Sequence, residues 1–140
     1  MSHVFFSQTY QEAKSKFLSL SYALKETYPN LVLGNESINS KDSIDYLLVP
    51  GTTDTIKVIS SGVHGIEGFY GSMGILSVMN ELKNYPQKDS FLFIHIINPF
   101  GMKNYQKNNE NNVDLNRNFI VNHWKRINGK RVFFPLNRNS

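Results

Sequence analysis

A histidine and a glutamate three positions apart, His64 and Glu67, lie in the glycine-rich stretch SSGVHGIEGFYGS at residues 60–72. Neutral imidazole and carboxylate are ligands of zinc, and a catalytic zinc site uses three protein ligands and leaves one position open for water. A pair with this spacing on a loop that enters a helix can place both donors on one ion. The same two residues also fit a polar turn in which Glu67 stabilises a helix N-terminus. Taken alone, the stretch leaves both interpretations open.

A second stretch with chemical potential, NVDLNRNF, places Asn116 and Arg117 side by side. The planar guanidinium of arginine holds a carboxylate through two parallel hydrogen bonds, and an adjacent asparagine can add a further donor. A zinc-bound water beside such a carboxylate clamp is the arrangement needed to hydrolyse a bond near a free terminal carboxylate. The two stretches together therefore favour the metal interpretation of His64 and Glu67.

The elements that must position these residues follow in the order helix, strand, strand, helix, strand. The sequence predicts a helix within residues 7–29 capped by Ser7 or Thr9, strands at Ile44–Pro50 and Ile56–Gly62, a helix from Glu67 to about Asn84, and a strand over residues 91–98. A strand–helix–strand unit at the centre indicates an α/β fold with an at least partly parallel sheet.

Functional groups in α/β sheets collect at the carboxyl ends of the strands. His64 follows one predicted strand and Asn98 ends the next, so in a parallel pair both lie at the same edge. The polar segment Glu110–Phe119 begins at that edge as well. We therefore expect the two chemically interesting stretches to meet there.

Composition narrows the classes of protein that the chain can represent. The 140 residues suit one domain, and the absence of cysteine restricts any metal ligands to His, Asp and Glu. No signal peptide and no apolar run long enough to span a bilayer are visible, so the sequence predicts a soluble, cytoplasmic protein. The net charge of +4 and a basic cluster near the C-terminus raise a nucleic-acid-binding alternative. No nucleic-acid motif accompanies that cluster, which favours a solvated tail. The cluster consists of Lys125, Arg126, Lys130 and Arg131 beside Trp124 and Phe133.

Three motifs in order, SSGVHGIEGFYGS, INPFG and NVDLNRNF, resemble the zinc carboxypeptidase superfamily, and most of all its bacterial, peptidase M14-like branch DUF2817. The resemblance implies that His64 and Glu67 are the first two zinc ligands, and that Asn116 and Arg117 bind the terminal carboxylate of a substrate. It implies a zinc-dependent hydrolase that cleaves an amide bond next to that carboxylate. The implied fold is the N-terminal half of an α/β sandwich around a mixed, mainly parallel sheet flanked by helices.

The chain departs from the pattern of this family in two respects. Where relatives carry an arginine that polarises the scissile carbonyl, this chain has Gln106 and Lys107, and Lys107 offers charge without a bidentate fork. The third zinc ligand and the general-base glutamate of the family lie beyond NRNF, and no glutamate follows Glu110 here. No spacing argument supports His3, His95 or His123 as a replacement ligand.

These departures predict that residues 1–140 form a partial domain that lacks the C-terminal half of the fold and is inactive as this chain alone. The alternative is a truncated, non-catalytic remnant or binding module. In either case an uncovered sheet edge and uncovered apolar faces predict self-association.

Overall fold

The computed structural model describes residues 4–118 and, beyond them, only the backbone of two short strands. The elements are α1 (Tyr10–Leu24), β1 (Val32–Ser37), β2 (Ser43–Val49), β3 (Ile56–Ser60), α2 (Gly68–Asn84), β4 (Ser90–His95), α3 (Pro99–Lys103), a 3₁₀ turn (Leu115–Arg117), β5 (Trp124–Ile127) and β6 (Lys130–Phe133). Within these residues no helix is long and apolar enough to cross a membrane.

Four strands form one mixed sheet in the order β1-β2-β4-β3. β1 pairs with β2 and β2 with β4 in antiparallel orientation, whereas β3 and β4 are parallel and joined through α2. β2 and β3 are consecutive along the chain, but β4 lies between them. The predicted α/β class, with a mixed sheet flanked by helices, is confirmed. In the part of the chain that the structure describes, one of these three strand pairings is parallel.

A capping side chain fixes the N-terminus of helix α1. Thr9 Oγ1 accepts a hydrogen bond from the backbone N–H of Glu12 at 3.1 Å, which satisfies one of the free donors of the first turn. Of the two caps that the sequence predicts, Thr9 is the one observed. Phe17 and Leu24, at helical spacing, are fully buried, and the helix ends well before Pro29.

Helices α1 and α2 pack on one face of the sheet, which we call the inner face. Alternation along the strands places Leu47 and Val49 of β2 and Phe91 and Phe93 of β4 on this face. Burial of this apolar area is the main stabilising contribution to the fold. The buried cluster consists of Phe17, Leu24, Leu31, Leu47, Val49, Ile75, Leu76, Met79, Leu82, Phe91 and Phe93.

Strand β1 is the strand of the four-stranded sheet that the sequence analysis does not predict. Its sequence, VLGNES, has two apolar residues followed by glycine and polar residues, which is typical of a turn. The strand forms because β2 offers its edge, and Gly34 leaves room for the ring of Tyr46 directly opposite. Pairing with a neighbour therefore outweighs weak local propensity here.

The basic segment near the C-terminus forms an antiparallel pair of short strands. Lys125 lies opposite Val132, and Arg126 lies opposite Arg131. The side chains of this segment, and His123 before it, lie outside the described residues.

Candidate metal centre

The candidate site is built on the loop that connects β3 to α2. Two hydrogen bonds tie this loop to the end of β4, because Ile97 N donates to Ser61 O at 2.9 Å and Asn98 N donates to Gly62 O at 2.8 Å. At Gly65 a side chain would overlap the backbone of Gly101, so only glycine permits this close packing. The strand ends of the parallel pair thus lie at one edge of the sheet, as the sequence predicts.

His64 lies between two carboxylates. Its Nδ1 atom is 3.2 Å from Glu67 Oε1, and its Nε2 atom is 3.0 Å from Asp114 Oδ1. Only 11% of the His64 side chain is exposed, against 73% for Glu67 and 18% for Asp114. The ring is therefore fixed in orientation, and its Nδ1 side faces the more open carboxylate.

Asp114 connects His64 to the loop that follows α3. Its Oδ2 atom lies 2.7 Å from Lys107 Nζ, and its Oδ1 atom also accepts a hydrogen bond from Asn116 N at 3.0 Å. The Lys107 ammonium, and to a smaller extent His64, lowers the pKa of the Asp114 carboxyl to about 2. Asp114 is thus a fixed negative charge against the Nε2 side of His64.

Glu67 occupies the N-cap position of α2, but its side chain makes no capping hydrogen bond. Its backbone carbonyl accepts from Tyr70 N and Gly71 N, while its carboxylate turns towards His64. The geometry therefore pairs Glu67 with the histidine and not with the first turn of the helix.

A cleft of about 310 Å³ opens beside this group. Of the residues that the sequence predicts for the site, His64, Glu67 and Asn116 line it. Lys107 lies behind Asp114, and Arg117 is exposed next to Asn116 without lining the cleft. The cleft is lined by Ser60, Ser61, Gly62, Val63, His64, Glu67, Gly71 and Asn116. A larger groove of about 460 Å³ along α1 is mostly apolar and holds no group of this kind.

Asn98, at the end of β4, has a structural role in this arrangement. Its Oδ1 atom accepts from Gly101 N at 2.9 Å, and its Nδ2 atom donates to Lys107 O at 3.1 Å. The side chain is buried and fixes the turn into α3 and the position of Lys107.

A metal ion fits the described residues in part. His64 Nδ1 and Glu67 Oε1 point at each other across 3.2 Å, so a small movement lets both bind one ion, while Asp114 holds the other ring nitrogen. A carboxylate on the second nitrogen of a ligand histidine is a common feature of metal sites. Among residues 4–118, however, no group of three or more His, Asp or Glu side chains is arranged to hold a metal.

The other histidines do not complete the site within the described structure. His95 lies on the inner face of the sheet and is only 1% exposed. Its ring is hydrogen-bonded to Ser72, and it does not line the cleft. His3 and His123 lie outside the described residues.

Asp114 is the site residue that sequence reasoning passed over. It was visible only as one member of a polar run, although its position two residues before Asn116 is typical of a residue that caps a short helix. Its contact with His64 joins residues 50 positions apart and follows from the tertiary fold.

Comparisons with known proteins bear on the family and the fold of the chain. A family model described as "Protein of unknown function (DUF2817)" matches residues 6–132. No curated protein matches the chain.

Three solved structures share the fold. Bovine thrombin-activatable fibrinolysis inhibitor, solved in complex with tick carboxypeptidase inhibitor, is 20% identical with a TM-score of 0.62, over 85% of this chain and 45% of that one. A candidate metallopeptidase from Shewanella amazonensis is 22% identical with a TM-score of 0.55, over 84% and 43%. Another from Shewanella denitrificans is 20% identical with a TM-score of 0.54, over 71% and 37%.

The chain thus spans less than half the length of these structures, and at this identity the likeness shows the fold alone. The two Shewanella structures are described as metallopeptidases. Because the family model covers most of the sequence, the conclusion about family is direct: the chain belongs to the DUF2817 family.

Proposed function

We propose that the chain carries part of the active site of a zinc-dependent, carboxypeptidase-like hydrolase that cleaves an amide bond next to a terminal carboxylate. The observation that carries the proposal is His64, held by Asp114 at Nε2 and facing Glu67 at Nδ1 above an open cleft. A histidine fixed in this way is prepared to bind a cation through Nδ1.

His64 Nδ1 and the Glu67 carboxylate would hold the zinc ion, and the third ligand comes from outside the described residues. When bound, the ion supplies a Lewis acid and a water of lowered pKa. Asp114 keeps the Nε2 proton in place, so that Nδ1 presents its lone pair to the cleft. This fixed tautomer is the contribution of the chain to the chemistry of the metal.

Asn116 and Arg117 would bind the terminal carboxylate of the substrate. Asn116 lines the cleft, and the adjacent Arg117 is exposed and makes no ion pair within residues 4–118. Its guanidinium is therefore available for a bidentate contact with an incoming carboxylate. A free carboxylate on a peptide or an acylated amino acid is the expected recognition element.

Lys107 has a positioning role in this proposal. Its ammonium lies 2.7 Å from Asp114 Oδ2, and the position of its backbone is fixed by Asn98. While this pair is intact, Lys107 keeps Asp114 ionised and does not face the cleft. Polarising the scissile carbonyl would require Lys107 to leave Asp114.

A non-catalytic binding module is the second candidate. The observation in its favour is the lack of a third metal donor among residues 4–118. Such a module would bind zinc weakly, bind carboxylates through Arg117, and hydrolyse nothing. A cytoplasmic location stays a prediction of the sequence under both proposals.

Zinc titration of the purified chain by calorimetry tests the metal site. We expect His64→Ala and Glu67→Gln each to abolish or strongly weaken binding, with the exposed Glu26→Gln as the matched control. Glu67 is largely exposed, so its substitution leaves the fold intact. Zinc affinity unchanged in both variants would refute the site. His95→Gln should leave zinc affinity unchanged, because His95 is buried on the inner face and does not line the cleft.

Carboxylate binding is tested with an N-acyl amino acid and its methyl ester in an NMR titration. Arg117→Lys retains the charge but loses the bidentate fork, so we expect affinity for the acid to fall about tenfold. The ester should bind weakly to both proteins. Equal affinity of the native chain for acid and ester would rule out the clamp. A hydrolysis assay on the corresponding peptide then separates the two candidate functions.

A further inference from the structure

The backbone turns sharply where the loop of the candidate metal centre leaves β3. Gly62 has a φ of +72°, in the left-handed region that favours glycine. Beside it, just after β4, Ile96 has a φ of +60°, a conformation that β-branched residues rarely adopt. A side chain at Gly62 would come within 3.2 Å of the Cα atom of Ile96, so the two turns are packed together. Strained backbone of this kind occurs preferentially at binding and catalytic sites.

At these turns two successive peptide groups point in the same direction. The carbonyl oxygen of Ser61 accepts a hydrogen bond from Ile97 N at 2.9 Å, and that of Gly62 accepts one from Asn98 N at 2.8 Å. No peptide bond in the described residues is cis, so each N–H points opposite to the carbonyl of its own peptide group. The N–H groups of Gly62 and Val63 therefore both point away from β4.

The cleft lies on the side to which these two N–H groups point. Its lining includes Gly62 and Val63, but no residue from 90 to 103, the segment that contains β4 and α3. Neither N–H group donates a hydrogen bond to another group within residues 4–118. Ser61, which also lines the cleft, has a buried hydroxyl without a hydrogen-bond partner in the same part of the chain. This wall of the cleft is therefore rich in unused hydrogen-bond donors.

A regularly paired strand beside β3 would satisfy only one of the two N–H groups. Donors and acceptors alternate along the edge of a strand, so a neighbouring strand pairs with every second N–H. Two successive N–H groups on one side instead converge on a single acceptor, as they do in anion-binding turns. They favour an oxygen with negative charge, because hydrogen bonds to charged acceptors are stronger than those to neutral ones.

We infer that the N–H groups of Gly62 and Val63 bind the carbonyl oxygen of the scissile amide bond. The inference rests on the proposed function, which places that amide next to His64. Negative charge develops on this oxygen during hydrolysis, and preorganised backbone donors stabilise it without reorganising. The site needs such donors, because Lys107 is paired with Asp114 and does not line the cleft.

An NMR titration of the isotope-labelled chain tests this inference. The probe is the phosphonate analogue of an N-acyl dipeptide, in which a tetrahedral group with anionic oxygens replaces the scissile carbonyl. EDTA keeps metal out, so the result does not depend on the zinc site. We expect binding in the millimolar range, since the Glu67 carboxylate in the same cleft opposes an anion.

The amide protons of Gly62 and Val63 should move downfield together as the phosphonate is added. The amide of Gly65 is the internal control, because it lies in the same loop but already donates to Lys107 O. It should move much less. No binding, or binding without downfield shifts at Gly62 and Val63, would overturn the inference.

Removal of one donor provides a second measurement. The α-hydroxy analogue of valine at position 63 replaces the N–H by an ester oxygen and retains the side chain. We expect the affinity for the phosphonate to fall about tenfold, because one hydrogen bond to a charged group is lost. The same replacement at Val4, which is exposed and does not line the cleft, is the matched control. Circular dichroism verifies that both variants are folded, and equal affinities of the two would contradict the inference.

The outcomes separate this inference from the proposed function. A phosphonate that shifts the signals of Asn116 and Arg117 but not those of Gly62 and Val63 would refute the donor pair and leave the carboxylate clamp intact. Shifts at Gly62 and Val63 in a chain that binds no zinc in calorimetry would retain the donor pair and refute the zinc-dependent function.

Discussion

The buried histidine of β4 makes the stability of the fold sensitive to mild acid. His95 is 1% exposed, its ring stacks on Phe17 at 4.5 Å between centroids, and its Nε2 atom lies 2.9 Å from Ser72 Oγ. Burial, together with the Lys14 ammonium nearby, lowers the pKa of His95 to about 3 from an ordinary value of 6.5. Lys14 is paired with Asp45, the residue opposite His95 on β2.

The sign and size of the effect follow from this difference in pKa. In the unfolded chain His95 takes up a proton near pH 6.5, whereas in the folded chain it stays neutral down to about pH 3. Above pH 6.5 His95 is neutral in both states and does not change the free energy of unfolding. As the pH falls from 6.5 towards 3, only the unfolded chain takes up this proton, so the folded state loses stability. Between pH 8 and pH 5 the free energy of unfolding falls by about 2 kcal/mol. The loss begins near pH 6.5, which is about 1.5 units above pH 5, and each unit contributes about 1.4 kcal/mol. This loss is a substantial part of the ordinary stability of a domain, about 5–15 kcal/mol.

Urea unfolding at pH 8 and pH 5, in buffer with EDTA to keep metal out, measures this loss. The native chain should lose about 2 kcal/mol more than His95→Gln, whose amide can still bond Ser72 but does not titrate. Ser72→Ala removes the hydrogen bond and keeps the titration, so it should retain the pH dependence. Equal losses in the native chain and His95→Gln would refute the reasoning. Carboxylates with lowered pKa values, such as Asp114, lose their contribution mainly below pH 5 and do not obscure the comparison.

The remaining predictions concern the metal centre and the helices. Asp114→Asn should weaken zinc binding about 10- to 100-fold in calorimetry, while the exposed Asp54→Asn should leave it unchanged. Equal zinc affinities of the native chain and Asp114→Asn would show that Asp114 does not support the metal site. Gly74→Ala, where an added methyl group meets nothing, should stabilise α2 by up to about 1 kcal/mol in urea unfolding. Gly71→Ala, one turn earlier, should destabilise the protein because its methyl group meets a serine side chain; a gain would contradict this packing. Thr9→Ala should cost about 1 kcal/mol through loss of the helix cap, and no change in urea midpoint would show that the cap is redundant.

Sequence reasoning predicted the elements that carry strong local signals. Helix α2 starts one residue after the predicted Glu67 and ends at the predicted Asn84, and the apolar residues Phe69, Leu76, Met79 and Leu82, at helical spacing, are buried. Met73, also at this spacing, is half-buried, while Ile75 takes an interior position. Helical periodicity identifies the apolar stripe, but its limits depend on how the helix is rotated against the sheet.

The order of the strands was beyond local reasoning. The sequence indicates strands on both sides of a short turn, and consecutive strands often pair, yet β4 lies between β2 and β3. The apolar run of β4 contains the explanation, because a strand apolar on both faces belongs in the centre of a sheet. Asp114 was missed for a similar reason: its partner His64 is distant in sequence, and no periodic pattern marks a contact of this kind.

The parallel pairing of β3 and β4 is the feature that creates the candidate metal centre. In the antiparallel pairs of this sheet, the carboxyl end of one strand lies beside the amino end of its neighbour. Only where β3 and β4 run together do the loops after two strands start at the same edge. One of these loops carries His64 and Glu67, and the other leads through Asn98 to Lys107 and Asp114. The contact between His64 and Asp114 closes this arrangement, and it joins the two motifs that the sequence shows only as separate stretches.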